Sequence, residues 1–251
     1  MKISVITAVY NRAATVGESL RSSCDQRHAD IERVVIDGGS TDGTIDVLQS
    51  FGDRIDTLVS EADQGIYDAL NKGIAVARGD VIGFLHADDL FSDDAALSRV
   101  AATMTDPSVA AVYGDLIYVS KDQPDRVVRD WRAGEFSPAQ LRRGWMPPHP
   151  TLYVRRSVFE SVGRFDTTLR IAADYDWMLR LLLAGHRLAY IPQVQVRMRT
   201  GGASNRSVGN IMRKSGEDFA ALRRNGFSVA GATTTLMAKN LRKLPQLVRR
   251  R

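Results

Sequence analysis

Short apolar runs alternate with helical stretches through the first half of the chain, and this alternation constrains the fold more than any other feature. Residues 3–7, 33–36 and 81–85 are rich in β-branched side chains, which predicts buried parallel strands. Residues 66–77 carry apolar side chains at helical spacing. The pattern predicts an α/β protein with a Rossmann-like, mostly parallel central sheet flanked by helices, followed by a C-terminal helical extension.

Polar and acidic residues lie at the ends of these predicted strands and of a further strand predicted at residues 56–60. They are Thr7, Asp37, residues 61–63 and the pair Asp88 and Asp89. Ligands of such sheets bind outside the carboxyl ends of the strands, where these residues would meet. The sequence therefore predicts one ligand site, built at one edge of the sheet by separate segments.

Composition and missing motifs exclude several classes of protein. The single cysteine, Cys24, rules out an internal disulfide and a cysteine-based zinc site. No stretch reaches the ~20 apolar residues of a membrane span, and the first residues resemble a strand rather than a signal peptide. The sequence has neither a GxxxxGK[ST] phosphate loop nor a GxGxxG fingerprint. We expect a cytoplasmic protein.

The net charge of +5 comes from the C-terminal tail, because residues 239–251 hold six cations and no acid. Apolar residues recur there at helical spacing: Leu241, Leu244, Leu247 and Val248. This pattern predicts an amphipathic helix on an anionic membrane, at the inner face of the cell membrane. Pro245 leaves a disordered, solvated tail as the alternative. No aromatic or RNP-like pattern accompanies the cations, so we expect no nucleic-acid partner.

The acidic turn formed by Asp88 and Asp89 follows the predicted strand 81–85. Carboxylates are hard oxygen ligands suited to Mg²⁺ or Mn²⁺. Taken alone, such a pair is more typical of a solvated turn, here before a helix that Asp93 or Asp94 caps, but the buried strand before it favours a site.

Several motifs in a fixed order resemble one known family. They are Thr7-Ala8-Val9-Tyr10-Asn11-Arg12, Asp37-Gly38-Gly39-Ser40-Thr41-Asp42-Gly43-Thr44 and Phe84-Leu85-His86-Ala87-Asp88-Asp89. Together they resemble the family 2 glycosyltransferases of the GT-A fold. Residues 63–73 and 172–177 further resemble the branch that acts in bacterial cell-surface polysaccharide assembly. The resemblance implies a GT-A domain over residues 1–205, with a nucleotide-sugar-binding half at 1–115 and an acceptor half at 116–205. Residues 206–251 would form the helical extension with its basic tail.

The resemblance also implies roles for matching positions. The nucleotide or donor-sugar residues would be Thr7, Ala8, Val9, Tyr10, Asn11, Asp37, Asp63, Tyr67, Asn71, His86, Ala87 and Asp88. Asp88 would ligate a divalent metal, Mg²⁺ or Mn²⁺, with Asp89 assisting. His86 departs from the family pattern, since many relatives carry there the first acid of an Asp-x-Asp motif. It can still donate a hydrogen bond or bind a metal as neutral imidazole.

Asp174 is the candidate catalytic base, because an inverting transfer needs a carboxylate beside the acceptor hydroxyl. Its alternative role is the N-cap of the helix predicted over 174–184. His149 and Asp176 are the candidate acceptor residues, with a structural role as the alternative for His149. Residues 201–204, Gly-Gly-Ala-Ser, suit either a lid over the donor phosphates or a surface hairpin loop.

These features predict an inverting, metal-dependent glycosyltransferase. The donor would be a UDP-sugar, with GDP- and dTDP-sugars as alternatives, and the acceptor a glycan or lipid-linked hydroxyl. Two other functions are compatible with a nucleotide-binding sheet of this kind. A sugar nucleotidyltransferase usually carries a Gly-rich phosphate loop near its N-terminus, which is missing. A non-catalytic binding subunit would not need Asp37, Asp88 and Asp174 together.

Overall fold

The computed structural model describes residues 1–201, 208–242 and 246. Within this part, nine strands join in one sheet. The strands are β1 (Ile3–Val9), β2 (Ile31–Asp37), β3 (Thr57–Ser60), β4 (Val81–Phe84), β5 (Leu90–Phe91), β6 (Ala111–Val119), β7 (Val127–Trp131), β8 (Tyr153–Arg155) and β9 (Leu188–Arg199). The helices are α1 (Ala13–Cys24), α2 (Thr44–Gln49), α3 (Ile66–Val76), α4 (Ala96–Thr103), α5 (Pro138–Leu141), α6 (Arg156–Val162), α7 (Ala173–Leu183), α8 (Val208–Arg224) and α9 (Val229–Leu241).

The first half of the sheet is parallel, in the order β3-β2-β1-β4. In its register Val9 lies beside Asp37, and Asp37 lies beside Ser60. Because parallel strands end at the same edge, the polar groups after β1, β2, β3 and β4 are brought together there. The predicted convergence of separate segments is confirmed.

The second half of the sheet mixes directions. Strand β8 lies antiparallel between β4 and β6, β6 pairs parallel with β9, and β5 and β7 pair antiparallel with β9 and β6. The α/β fold with flanking helices is confirmed. Strands β5, β7 and β8 were not predicted, because they are two to five residues long and lack a long apolar run. Strand β9 begins at Leu188 rather than at residue 194.

Helix α3 lies so close to the sheet that only glycine fits at position 73. A Cβ atom on Gly73 would lie 2.4 Å from Cγ2 of Ile6 on β1. The close approach holds Tyr67, in the first turn of α3, above the carboxyl end of the parallel strands.

The main hydrophobic core continues from the sheet into the C-terminal helices. Ala221, Leu222 and Ala232 belong to the same buried cluster as Phe165 and Trp177. The domain boundary at residue 205 stays a prediction, and the extension packs on the acceptor half through this cluster. No helix among the described residues combines the length and apolar composition that a membrane span needs.

The prediction that Asp93 or Asp94 is the N-cap of the next helix was wrong. The cap position is Ala95, because residues 90–91 first pair with β9 and delay the start of α4. Asp93 instead accepts a hydrogen bond from the Ala95 amide over 2.9 Å. Most of the predicted lid at 201–204 and of the basic tail lies outside the described residues.

Candidate active site

The loops after β1 and β2 are tied together by side chains of both. Asn11 is in the left-handed region with φ 51°, and its Oδ1 accepts a hydrogen bond from the Thr41 amide over 2.9 Å. Its own amide donates to Ser40 Oγ over 2.8 Å, and the Arg12 amide donates to Thr44 Oγ1 over 2.8 Å. These contacts form one rigid rim at the carboxyl edge of the sheet.

Asp37, at the end of β2, is 0% exposed. Only one of its two carboxylate oxygens accepts hydrogen bonds from the described residues. Its Oδ2 accepts hydrogen bonds from the Gly39 and Ser40 amides, both over 3.0 Å, and from Ser60 Oγ over 2.7 Å. Its Oδ1 is buried and has no hydrogen-bond partner in the described part of the chain. Buried carboxylate oxygens without a donor are uncommon, so this atom is suited to accept an N–H from a ligand.

Asp63 packs directly against the backbone that follows Asp37. A Cβ atom on Gly38 would lie 2.3 Å from Asp63 Oδ2, so glycine is what permits the approach. The Gly65 amide donates to Asp63 Oδ1 over 2.8 Å and holds the carboxylate in place. The structure thus brings Asp63 to the predicted nucleotide edge.

The predicted residues at the end of β1 and just after it differ in exposure. Thr7, Ala8 and Val9 are buried, whereas the Tyr10 side chain is 58% exposed. Thr7, Ala8 and Val9 therefore lie below the surface of the site. Tyr10 is the one that a ligand at this edge can cover.

A cleft of about 220 Å³ opens between the loop after β1 and the end of β9. Its charged lining residues are Arg12, Asp42, Asp88, Lys121 and Arg199. The cations outnumber the carboxylates, which suits a ligand that carries phosphates. Arg199 is buried, pairs with Glu18, and donates to the main-chain carbonyl oxygen of Asp88 over 3.3 Å.

Asp88 and Asp89 point to different surroundings. Asp88 lines the cleft, and none of the described residues donates a hydrogen bond to its carboxylate. Asp89 is 1% exposed, and its Oδ1 accepts from the Arg199 amide over 3.2 Å. Burial, and then the charge of Asp88, raise the pKa of Asp89 well above its usual range. Asp89 therefore joins the turn to β9, and Asp88 is the member of the pair that lines the cleft.

The side chains around Asp88 decide which kind of metal site is compatible with the cleft. No group of three or more His, Cys, Asp or Glu side chains suited to a metal occurs in residues 1–201, 208–242 or 246. Mg²⁺ is often held by one or two carboxylates together with substrate phosphates and waters. The free carboxylate of Asp88 beside a cationic cleft fits that kind of shared site, and it does not fit a metal held by protein ligands alone.

Two imidazoles lie behind the acidic turn. The rings of His86 and His149 are 5.9 Å apart, and His149 stacks on Phe84 with the ring centroids separated by 5.4 Å. Burial lowers the pKa of His149 to about 4, against the opposing charge of Asp174. Burial also lowers the pKa of His86, while Asp88 and Asp174 each act to raise it. Both rings are therefore neutral at pH 7.

Asp174 lies in the first turn of α7. Its Oδ1 lies 3.1 Å from the Tyr67 hydroxyl and accepts from the Tyr175 amide over 2.8 Å. Burial favours the neutral acid, but the imidazolium that His149 forms at acid pH, the ammonium of Lys214 and the Tyr175 amide outweigh it. The pKa of Asp174 lies below its usual value. The N-cap of α7 is Ala172, so the alternative role of Asp174 as N-cap was wrong.

The sequence model of glycosyl transferase family 2 matches residues 4–165, more than half of the chain. The chain belongs to this family. A protein of Mycobacterium bovis named PGL/p-HBAD biosynthesis glycosyltransferase is 34% identical over 182 residues, which cover 70% of this chain and 68% of that protein. An uncharacterized glycosyltransferase of Mycobacterium tuberculosis is 33% identical over 187 residues, which cover 72% of this chain and 69% of that protein.

Solved structures share the fold. S. aureus TarS in complex with UDP-GlcNAc superposes with a TM-score of 0.71 at 17% identity, covering 98% of this chain and 73% of that one. The mannosyltransferase PcManGT of Pyrobaculum calidifontis, in complex with GDP-Man and Mn²⁺, gives a TM-score of 0.68 at 22% identity, covering 98% and 72%. The GT-A fold of this glycosyltransferase is confirmed, and its family membership favours the predicted activity over both alternatives.

Two predicted site residues of this glycosyltransferase have other contacts. Asp176, predicted as an acceptor residue, accepts from Arg180 Nε and Asn225 Nδ2, both over 3.0 Å. It is buried and lies two residues from Asp174, on another face of α7, where acceptor contact is not favoured. Asn71 exchanges hydrogen bonds of 2.9 and 3.0 Å with the backbone of Phe165. Its role is to clamp α3 to that segment. Ala87 is buried in the turn.

The cationic residues Lys121 and Arg199 were missed as site residues. Arg199 is the last residue of a strand that was predicted to end there, and Gly201 and Gly202 follow shortly after it. A polar residue at a strand end before glycines is also the pattern at Asp37, so this signal could have identified Arg199. Lys121 follows β6 in a polar turn, and nothing in its local sequence distinguishes it from an ordinary surface lysine.

Proposed function

We propose that this glycosyltransferase moves a sugar from a nucleoside diphosphate sugar to a hydroxyl of a glycan or lipid-linked acceptor, with inversion and with a divalent metal. The observation that carries the proposal is the pair Asp88 and Asp174. They come from the turn after β4 and from α7, and the charges of both oppose the lowering of the His86 pKa that burial causes. A carboxylate at the cleft and a carboxylate suited to act as base therefore lie near the same imidazole.

The nucleotide would occupy the rim formed by the loops after β1 and β2. The unpartnered Oδ1 of Asp37 would accept an N–H of the base. The diphosphate would lie in the cleft beside Arg12, Lys121 and Arg199, whose charges neutralise it. Tyr10, exposed at the rim, would cover the base.

Asp88 is the residue that would hold Mg²⁺ or Mn²⁺ together with the diphosphate. A divalent ion in this position supplies charge stabilisation to the departing nucleotide. Asp89 holds the turn through the Arg199 amide and keeps Asp88 directed at the cleft.

Asp174 would take the proton of the acceptor hydroxyl. As that oxygen bonds to the anomeric carbon, the bond from the anomeric carbon to the diphosphate oxygen breaks on the opposite face, and the configuration inverts. The lowered pKa of Asp174 keeps it anionic at neutral pH, and Tyr67 orients its Oδ1. His149, neutral and stacked on Phe84, forms the wall beside it.

The similar proteins support the substrate classes. The M. bovis relative is named for PGL/p-HBAD biosynthesis, and TarS and PcManGT were solved with UDP-GlcNAc and with GDP-Man and Mn²⁺. A UDP-sugar is our first choice of donor, with GDP- and dTDP-sugars as the alternatives. The acceptor would belong to a cell-surface polysaccharide or glycolipid.

Donor hydrolysis tests the proposal. The purified chain is incubated with Mn²⁺ or EDTA and with UDP-N-acetylglucosamine, UDP-glucose, GDP-mannose or dTDP-glucose, and nucleotide release is measured. We expect Mn²⁺-dependent release from one donor, lowered about 100-fold by Asp88→Asn and unchanged by Asp94→Asn, which removes a carboxylate paired with Arg27. Proton NMR of the released sugar shows whether the anomeric configuration inverts. EDTA-resistant release or retention contradicts the proposal.

We also propose a cytoplasmic location with peripheral contact at an anionic membrane. The outward face of α9 carries the exposed apolar residues Val229, Met237 and Leu241, and the basic tail follows in the sequence. Sedimentation with phosphatidylglycerol vesicles should be lost in the variant Met237→Ser/Leu241→Ser. The variant Val127→Ser, on β7, should sediment normally. Equal binding to phosphatidylcholine vesicles would contradict a role for the anionic headgroups.

A further inference from the structure

Helices α8 and α9 lie outside the matched family segment, which ends at residue 165, yet both reach the first turn of α7. This turn carries Asp174, the base of the proposed function, on which the following inference rests. Helix α8 presents Glu217 and Asp218 to the turn, and α9 presents Lys239.

Glu217 holds the backbone that leads into α7. Its carboxylate accepts hydrogen bonds from the amides of Arg170, Ile171 and Ala172 over 3.2, 2.8 and 2.9 Å. Ala172 is the N-cap of α7, so the carboxylate also lies at the positive end of that helix. A carboxylate that accepts three consecutive amides fixes the backbone far more tightly than a single contact can.

Residues 170–172 are also connected to Asp174, through the hydroxyl of Tyr67. The carbonyl oxygen of Ile171 lies 2.7 Å from the Tyr67 hydroxyl, which also lies 3.1 Å from Asp174 Oδ1. Burial raises the pKa of Tyr67 well above its usual range, and the charges of Asp174 and then Glu217 add to that rise. The hydroxyl therefore stays protonated, and its single O–H is shared between two acceptors, the Ile171 carbonyl oxygen and Asp174 Oδ1.

Lys239 restrains the next residue along α7. Its ammonium lies 3.3 Å from the ring centroid of Tyr175 and 2.8 Å from Asp218 Oδ2. Tyr175 is the residue whose amide donates to Asp174 Oδ1. Residues 170–172 before Asp174 and Tyr175 after it are thus held by the two C-terminal helices.

We propose that Glu217 is a positioning residue for Asp174, and that the α8–α9 hairpin completes the active site instead of only extending the core. A general base must lie within hydrogen-bond reach of the acceptor hydroxyl, so a small displacement of the α7 turn costs activity. Glu217 acts through residues 170–172 and Tyr67, and it does not touch the substrate itself.

The test compares Glu217→Ala and the milder Glu217→Gln with Glu160→Ala, which removes an exposed carboxylate from α6. Hydrolysis of UDP-N-acetylglucosamine, or of whichever panel donor is cleaved, gives kcat and KM. Calorimetry gives the Kd for UDP with Mn²⁺, and circular dichroism gives the folded fraction. We expect E217A to lower kcat about tenfold or more at an unchanged Kd. E217Q, which keeps one accepting oxygen, should lose less, and E160A nothing.

A double-mutant cycle separates positioning from simple stabilisation. Once Asp174→Asn has removed the base, adding E217A should lower the residual rate no further, because the two residues act through one group. An unchanged kcat per folded molecule in both Glu217 variants, with D174N inactive, overturns this inference alone. The inference is also overturned if the fold-reduction of kcat in the double variant equals the product of the fold-reductions in E217A and D174N. Full activity of D174N overturns the base assignment in the proposed function and this inference with it.

Discussion

Replacing Asp37 by asparagine should abolish most nucleotide affinity while leaving the fold intact. In the structure Oδ2 accepts three hydrogen bonds and Oδ1 accepts none from the described residues. An asparagine oxygen can replace Oδ2, and the amide NH₂ then occupies the place of Oδ1. The N–H of a bound base would face a donor where it now meets an acceptor.

The magnitude follows from that one contact. A hydrogen bond to a charged acceptor contributes about 1.5–3 kcal/mol, and about 1.4 kcal/mol corresponds to a tenfold change in Kd. We therefore expect the Kd for the nucleotide to rise about 10- to 100-fold. The free energy of unfolding should fall by about 1–3 kcal/mol, since three hydrogen bonds lose their charged acceptor.

Calorimetric titration of the variant with UDP, GDP and dTDP in the presence of Mn²⁺ measures this effect. Asp56→Asn is the matched control, because Asp56 is exposed and precedes β3 at the opposite edge of the sheet. The control should bind like the wild type. Wild-type affinity in the folded Asp37→Asn variant, for the nucleotide that the wild type prefers, would refute the assignment of Oδ1 to the base.

Three further predictions concern stability and are measured by urea unfolding. Burial lowers the pKa of Lys239 to about 8, below about 10.4 in the unfolded chain. Between about pH 8 and about pH 10.4 the unfolded chain therefore binds more protons than the folded chain, so the free energy of unfolding rises with pH. Lys239→Met should remove this rise. Gly83→Ala should cost about 1–3 kcal/mol, because its Cβ would lie 2.2 Å from the Tyr153 ring. The matched Gly216→Ala, in α8 with open space around it, should gain about 0.5–1 kcal/mol. Asp176→Asn should destabilise by about 1–3 kcal/mol with an unchanged kcat per folded molecule. A lost kcat would restore its predicted acceptor role.

The parallel half of the fold could be predicted because its strands are buried on both faces. Runs such as residues 3–7 and 81–85 contain little but apolar side chains, so their period and length identify them without tertiary information. Strands β7 and β8 contain arginines and a few apolar residues, and they exist because β6 lies beside them. Pairing of that kind depends on distant segments, which local patterns do not report.

The site residues likewise include some that the local sequence predicts and some that depend on contacts between distant segments. Asp37, Asp63 and Asp88 follow strands directly, so the topology alone brings them to one edge. Asp176 has the same sequence signal as Asp174, an acid at the start of a helix, and its difference lies in the face of α7 and in the contact with Asn225. Glu217 lies inside a polar helix, where its carboxylate resembles any solvated side chain until α8 packs on α7.

The central claim is that Asp174 removes the acceptor proton while the donor is held elsewhere. The most direct test is the paired measurement, on Asp174→Asn, of kcat for donor turnover and of Kd for UDP with Mn²⁺. The account predicts that kcat falls at least about 100-fold, while Kd and the unfolding midpoint stay near their wild-type values. Retention of most turnover in the folded variant would contradict it.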